Sequence, residues 1–179
     1  MTKLFITLAF LAGATAATQT APPPEPILHA WDVAEDHTRH RAPMADPAGP
    51  YGTFAVAGYV YPVGTLRTGR DGVSADGTPA FPDEVLGTWT RDGIVTADGI
   101  STSRQTLVLQ DGDVLISEGL DADRHKPTRI RAVTGGTGRF AAHDGDVRQI
   151  LLDRSAHGGV QARFVLAGPD FNRRTVEAE

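Results

Sequence analysis

The chain has 179 residues, of which 40% are hydrophobic and 22% charged, with a formal net charge of −5 and no cysteine. A mildly acidic balance gives no electrostatic footprint for nucleic acid. The lack of cysteine excludes disulfides, thiol nucleophiles and thiolate metal sites, so an exported domain of this composition must be held by burial alone.

The N-terminus reads as a secretory signal over residues 1–16. Lys3 supplies the positive start, Leu4 to Ala12 is apolar but too short to span a bilayer, and Ala14-Thr15-Ala16 offers small residues for cleavage. Cleavage is expected after Ala16 or one residue later, placing the mature protein in a periplasm or outside the cell. It takes away Lys3, moves the net charge from −5 to −6 and leaves 163 residues. That is enough for one domain, expected over residues 27–179. Residues 17–26 hold four prolines and read as an extended linker. No later run is long enough to span a membrane as a helix.

From there the chain reads as strands. Eight candidates follow in order: Leu28–Val33, Thr53–Tyr61, Glu84–Thr90, Ser103–Gln110, Val114–Glu118, Arg129–Val133, Val147–Leu152 and Val160–Leu166. Six Asp-Gly steps, at 71, 76, 92, 98, 111 and 144, supply residues suited to tight turns. Val160, Ala162, Phe164 and Leu166 alternate with Gln161 and Arg163, the pattern of a half-buried antiparallel strand. By the same logic Ile130 and Ala132 are expected inside, with Arg129 and Arg131 on a solvated face. Phe54 to Tyr61 is apolar on both faces and fits a strand covered on both sides. No window shows helical periodicity. Eight short strands in one domain indicate an all-β barrel or sandwich, and an antiparallel barrel removes exposed edges.

Ala132 to Phe140, with its Gly135-Gly136-Thr137-Gly138 core, admits two readings. A dinucleotide cradle needs a helix directly after the glycines and a βαβ unit around it. Only 44 residues follow Gly135, and the strand-like Val147–Leu152 soon begins. The glycines therefore read as a barrel corner, after which Phe140 returns to the core.

These residues, with Gly145-Asp146-Val147 after them and Leu107 to Gly119 before them, resemble the late segment of the allene oxide cyclase and dirigent protein families. The resemblance covers roughly residues 105–152. It implies an eight-stranded antiparallel β-barrel of the allene oxide cyclase/dirigent type with an apolar cavity, in a dimer or trimer. It also implies cofactor-independent direction of ring closure or coupling of a hydrophobic small molecule. The run Trp31-Asp32-Val33-Ala34-Glu35 is similar to the first strand of the cyclases and puts Asp32 where they carry a catalytic glutamate. Ala34 stands where they have asparagine, and their cysteine has no counterpart here.

Asp32 and Glu118 are thus the candidate catalytic carboxylates, since a carboxylate in an apolar cavity has a raised pKa and can transfer a proton. Trp31, Tyr59, Tyr61, Trp89 and Phe164 are the candidate cavity lining, with core packing as their other role. His37-x-x-His40 lies in a segment read as a polar loop, so no metal site is expected. His125, His143 and His157 are expected to face solvent. Ser117 and Ser155 carry no nucleophile motif. The readings left open are a cyclase-like barrel, a non-catalytic carrier of an apolar ligand, and a barrel filled by its own side chains.

Overall fold

The computed structural model describes residues 27–39, 41–45, 52–95, 101–120 and 127–168. The signal segment, the linker, His40, Asp98-Gly99 and His125 lie outside them. Nine strands are present: β1 Ile27–Glu35, β2 Arg41–Ala45, β3 Gly52–Pro62, β4 Gly87–Val95, β5 Ser101–Leu109, β6 Val114–Leu120, β7 Thr128–Gly136, β8 Asp146–Arg154 and β9 Val160–Ala167. Strands β3 to β9 pair antiparallel in chain order, β9 pairs with β1, and β1 pairs with β3. The result is a closed antiparallel barrel of eight strands. The ninth strand, β2, continues β1 along the same edge of β3: β1 covers Gly58–Pro62 and β2 covers Gly52–Ala55.

The junction of β1 and β3 closes the ring, and it is tight. Gly58 sits opposite Glu35, and a Cβ at Gly58 would lie 2.0 Å from the Ala34 carbonyl oxygen. That neighbour is backbone and cannot rotate away. Gly58→Ala should therefore cost about 1 to 3 kcal/mol by forcing β1 off β3. Urea titration checks this, and an unchanged midpoint would count against it.

Two apolar clusters form. The main one faces the lumen and contains Trp31, Val33, Val56, Val60, Trp89, Leu107, Leu109, Leu115, Phe140, Val147, Ala162, Phe164 and Leu166. The second lies outside the ring, where the long β3–β4 connection, residues 63–86, is strapped over β1, β3 and β9. It contains Ala34, Tyr61, Leu66 and Val73, with Tyr59, Phe81, Val85 and Leu152 packed against it. The strap buries β3 on both faces only at its end, around Val60 and Tyr61, whereas Ala55 is exposed, so Phe54 to Tyr61 is covered on both sides in part only.

The expected fold class holds, with local differences. The fourth strand runs over Gly87–Val95 rather than Glu84–Thr90, because Pro82–Glu84 forms a 3₁₀ turn. Asp92-Gly93 is not a turn but lies inside β4. A Cβ at Gly93 would meet the Thr102 carbonyl oxygen at 2.3 Å, so glycine serves close strand contact there. Part of the segment read as a polar loop forms β2. The Gly-rich corner has the expected role, although β7 runs through Gly136 before the chain turns. Gly138 has φ +59° in the 3₁₀ turn Gly138–Phe140, and Phe140 is 1% exposed.

A candidate binding site in the barrel lumen

Strand alternation and register decide what faces the lumen. On β5 the inward residues are Ser101, Ser103, Gln105, Leu107 and Leu109, so its lumen face changes from polar to apolar along its length. Strands β1, β6 and β7 follow the same gradient, whereas the inward residues of β3 and β9, among them Val56, Val60, Ala162, Phe164 and Leu166, are apolar throughout. The apolar end is closed by the Gly-rich corner. There Phe140 meets Trp31 edge-on at 5.8 Å, and His29 stacks on Trp31 at 5.6 Å. Further in, Trp89 and Phe164 meet edge to face at 6.0 Å. Edge-to-face pairs add about 0.5 to 1.5 kcal/mol each beyond their buried area.

The middle of the lumen is polar. Gln105 Nε2 donates to Gln149 Oε1 at 2.8 Å, joining β5 to β8 across the interior. Arg131 on β7 reaches past β6 to Ser103 on β5, donating to its carbonyl oxygen and, at 2.7 Å, to its hydroxyl. Gly119 on the intervening β6 leaves room, since even a Cβ there would sit 3.4 Å from the Arg131 stem. Glu35 is 6% exposed at the polar end, where its Oε2 accepts a long hydrogen bond from Val160 N at 3.4 Å. Among the buried lumen-side atoms of the described residues that have no hydrogen-bond partner are Trp89 Nε1, Gln105 Oε1 and Ser117 Oγ. Each such orphan costs about 1 to 3 kcal/mol.

This interior corrects the reading of β7. Arg131 is 1% exposed inside the barrel, whereas Ile130 is 60% exposed on the outer wall. The alternation was legible but its direction was inverted, because the lumen at that level is polar.

The residues expected to form the site divide into three groups. Trp31, Trp89 and Phe164 face the lumen. Tyr59, Tyr61 and Asp32 lie on the opposite face of their strands, under the strap. Asp32 is fully buried there and accepts hydrogen bonds from Gly64 N at 2.7 Å, Leu66 N at 3.0 Å and Arg163 Nε at 2.8 Å. The Tyr61 hydroxyl donates to the Gly72 carbonyl at 2.5 Å, and burial, aided by Tyr59, pushes its pKa well above the ordinary phenol range. Tyr59 donates likewise to the Gly77 carbonyl. Glu118 is on the outer wall, paired with Arg104 at 2.8 Å. The structure therefore separates both proposed carboxylates from Trp31, Trp89 and Phe164, the aromatic residues that face the lumen, and leaves Asp32 on the side of Tyr59 and Tyr61. Ser117 faces the lumen and Ser155 is buried, bonding Gly159 N through its hydroxyl.

Gln105, Gln149, Arg131, Glu35 and His29 were not anticipated in the lumen. A signal existed for Gln105: it shares an alternating face with Leu107 and Leu109. His157 is exposed as expected and stacks on His37, whereas His143 is half-buried. Among the described residues no group of three or more His, Asp or Glu side chains is placed to hold a metal ion, and no helix is long and apolar enough to cross a membrane. An open cleft of about 390 Å³ lies against β3 and β4 beside Arg39, but none of the lumen aromatics lines it.

His29 links the closed end to pH. Burial chiefly, with Arg139 and His143 nearby, lowers its pKa below the ordinary 6.5. As pH falls through 6.5 the unfolded chain takes up a proton that the folded chain resists, so stability present above that pH is progressively lost. Melting temperature should drop between about pH 7.5 and 5.5, and His29→Phe should flatten that part of the profile. Identical profiles for the two proteins would refute it.

No family model and no curated protein matches this chain. Among solved structures it is similar to the pterocarpan synthase dirigent protein GePTS1, with 16% identity over 86% of this chain and 94% of that one and a TM-score of 0.52. The pterocarpan synthase dirigent protein PsPTS1 gives 16% identity over 78% and 94%, with a TM-score of 0.50. A pyocyanin demethylase is more distant, at 15% identity, 76% and 98% coverage and a TM-score of 0.48. Identities this low speak for architecture alone, and the chain is a β-barrel of the dirigent fold.

Proposed function

We propose that the chain is an exported barrel that binds a hydrophobic small molecule in its lumen and directs its cyclisation or coupling without a cofactor. The carrying observation is the aromatic lumen with one closed end: Trp31 and Phe140 cap it, and Trp89 meets Phe164 edge to face further in. Such a wall suits a flat or folded apolar body. Holding one conformer of a reactive molecule promotes ring closure through orientation alone. The dirigent fold supports the reading at the level of architecture, which by itself does not assign chemistry.

A non-catalytic carrier is the second reading, and one observation favours it. Asp32 and Glu118 both point away from the lumen, so neither meets a ligand held there. In a catalytic version Glu35 is the carboxylate on the lumen side. Export after cleavage near Ala16 belongs to the same proposal, as does assembly into a dimer or trimer. Ile94, Leu120 and Ile130, 48%, 59% and 60% exposed on the outer wall, offer an apolar contact face.

Native mass spectrometry of protein isolated from its own cells tests the reading. A co-purifying apolar molecule is expected. Protein that repeatedly carries none, and that binds no aromatic probe, would leave a barrel filled by its own side chains. Returning the released molecule to fresh protein separates the two versions: a stereochemically biased isomer marks a cyclase, and unchanged release marks a carrier.

A further inference from the structure

Resting on the reading of a lumen ligand, we propose that Trp89 Nε1, Gln105 Oε1 and Ser117 Oγ form a polar subsite that reads a hydroxyl group on the bound apolar molecule. Trp89 is 3% exposed, and Gln105 and Ser117 are fully buried. Each of the three atoms lacks a hydrogen-bond partner. Packing alone does not account for them: leucine at 105, alanine at 117 and phenylalanine at 89 would fill similar space with no orphaned atom.

They belong to one patch of wall. Gln105 is directly opposite Ser117 across β5 and β6, and Trp89 faces Leu107, the next inward residue along β5. All three share the inward parity of Leu107 and Leu115. Trp89 also meets Phe164, so the patch borders the aromatic cluster of the lumen.

Their chemistry selects the group. The indole N–H only donates, the amide oxygen only accepts, and the serine hydroxyl does either. A hydroxyl accepts from Trp89, donates its one proton to Gln105 and accepts from Ser117. A carboxylate would set an acceptor against Gln105 Oε1, and an ammonium would set a donor against the indole. In the state described here the Gln105–Gln149 bond spans the lumen beside this patch. A ligand enters among the lumen aromatic residues by parting that bond, and rotation of the Gln105 amide keeps its oxygen on the wall.

Binding of naphthol and naphthalene, followed by tryptophan fluorescence in the full chain at neutral pH, tests the subsite. Naphthol should bind about tenfold more tightly than naphthalene, the gain of one or two well-made hydrogen bonds. Ser117→Ala should reduce that preference and leave naphthalene affinity unchanged, and Gln105→Leu should reduce it while also strengthening naphthalene binding, because the bond to Gln149 no longer has to be parted. Ser117→Ala removes an orphaned atom and breaks no bond, so its ligand-free melting temperature should hold or rise, which a purely structural role would not produce, whereas Gln105→Leu also breaks the bond to Gln149 and should lower it. If Gln105→Leu does not fold, the Ser117→Ala affinities decide alone. Equal affinity for the two probes, or a preference untouched by the variants, overturns the subsite while lumen binding stands. Failure of both probes to bind overturns the subsite and the proposed function together.

Discussion

Asp32→Ala is expected to cost about 3 to 5 kcal/mol and to lift the strap from the barrel. The Asp32 carboxylate is fully buried, and it accepts from two strap amides, Gly64 N and Leu66 N, as well as from Arg163. Arg163 is 31% exposed in its side chain and can turn to water. The two amides cannot do so unless the strap leaves its bed. Once it leaves, Leu66 and Val73 lose their contact with Ala34 and Tyr61. Hydrogen exchange should show Gly64 and Leu66 losing protection first, while the lumen strands keep theirs. Asp32→Asn keeps one oxygen for the amides but gives up the charge facing Arg163, so its cost should be about half. A loss below about 1 kcal/mol for Asp32→Ala, or exchange spread evenly over the barrel, would overturn this account.

Phe140→Ala should cost a similar amount, about 3 to 5 kcal/mol, through a different mechanism. Phe140 is the plug that the Gly-rich corner delivers into the closed end, where it touches both Trp31 and His29. Truncation leaves a hole beside Trp31 and opens that end to water. Trp31 emission should shift to the red, and the urea midpoint should fall. Phe140→Leu restores most of the volume but not the edge contacts, so about 1 to 1.5 kcal/mol of loss should remain. Unchanged emission in Phe140→Ala would mean that the corner does not seal the barrel.

Much of this was legible before folding is considered. The alternation of β9 gave the right inward face, Val160, Ala162, Phe164 and Leu166, but the strand is not half-buried as expected, since Gln161 on the other side is 1% exposed under the strap. The Gly-rich corner was legible too, since three glycines and a phenylalanine between two strands leave few other uses. On β7 the same alternation misled. Arginine is ordinarily the exposed partner of isoleucine, yet Arg131 is buried through its bonds to Ser103, and Ile130 stands in solvent. Asp32 shows the same ambiguity: its carboxylate is buried, but against the strap and not in the lumen.

The amino-acid sequence was enough for the all-β class and the corner, and its resemblance for the eight-stranded barrel; it named five aromatic residues without deciding which of them face the lumen. Period-two patterning is local, and it survives whatever the strand later packs against. Only the tertiary structure decided which face of each strand is the lumen. Ring closure between β1 and β3, and the strap laid over β1, β3 and β9, create two separate interiors. Burial therefore no longer implies the lumen, and a polar lumen reverses the usual sign of the pattern. The candidate site rests on that distinction, because Gln105, Ser117 and Trp89 share one wall only after the barrel has closed.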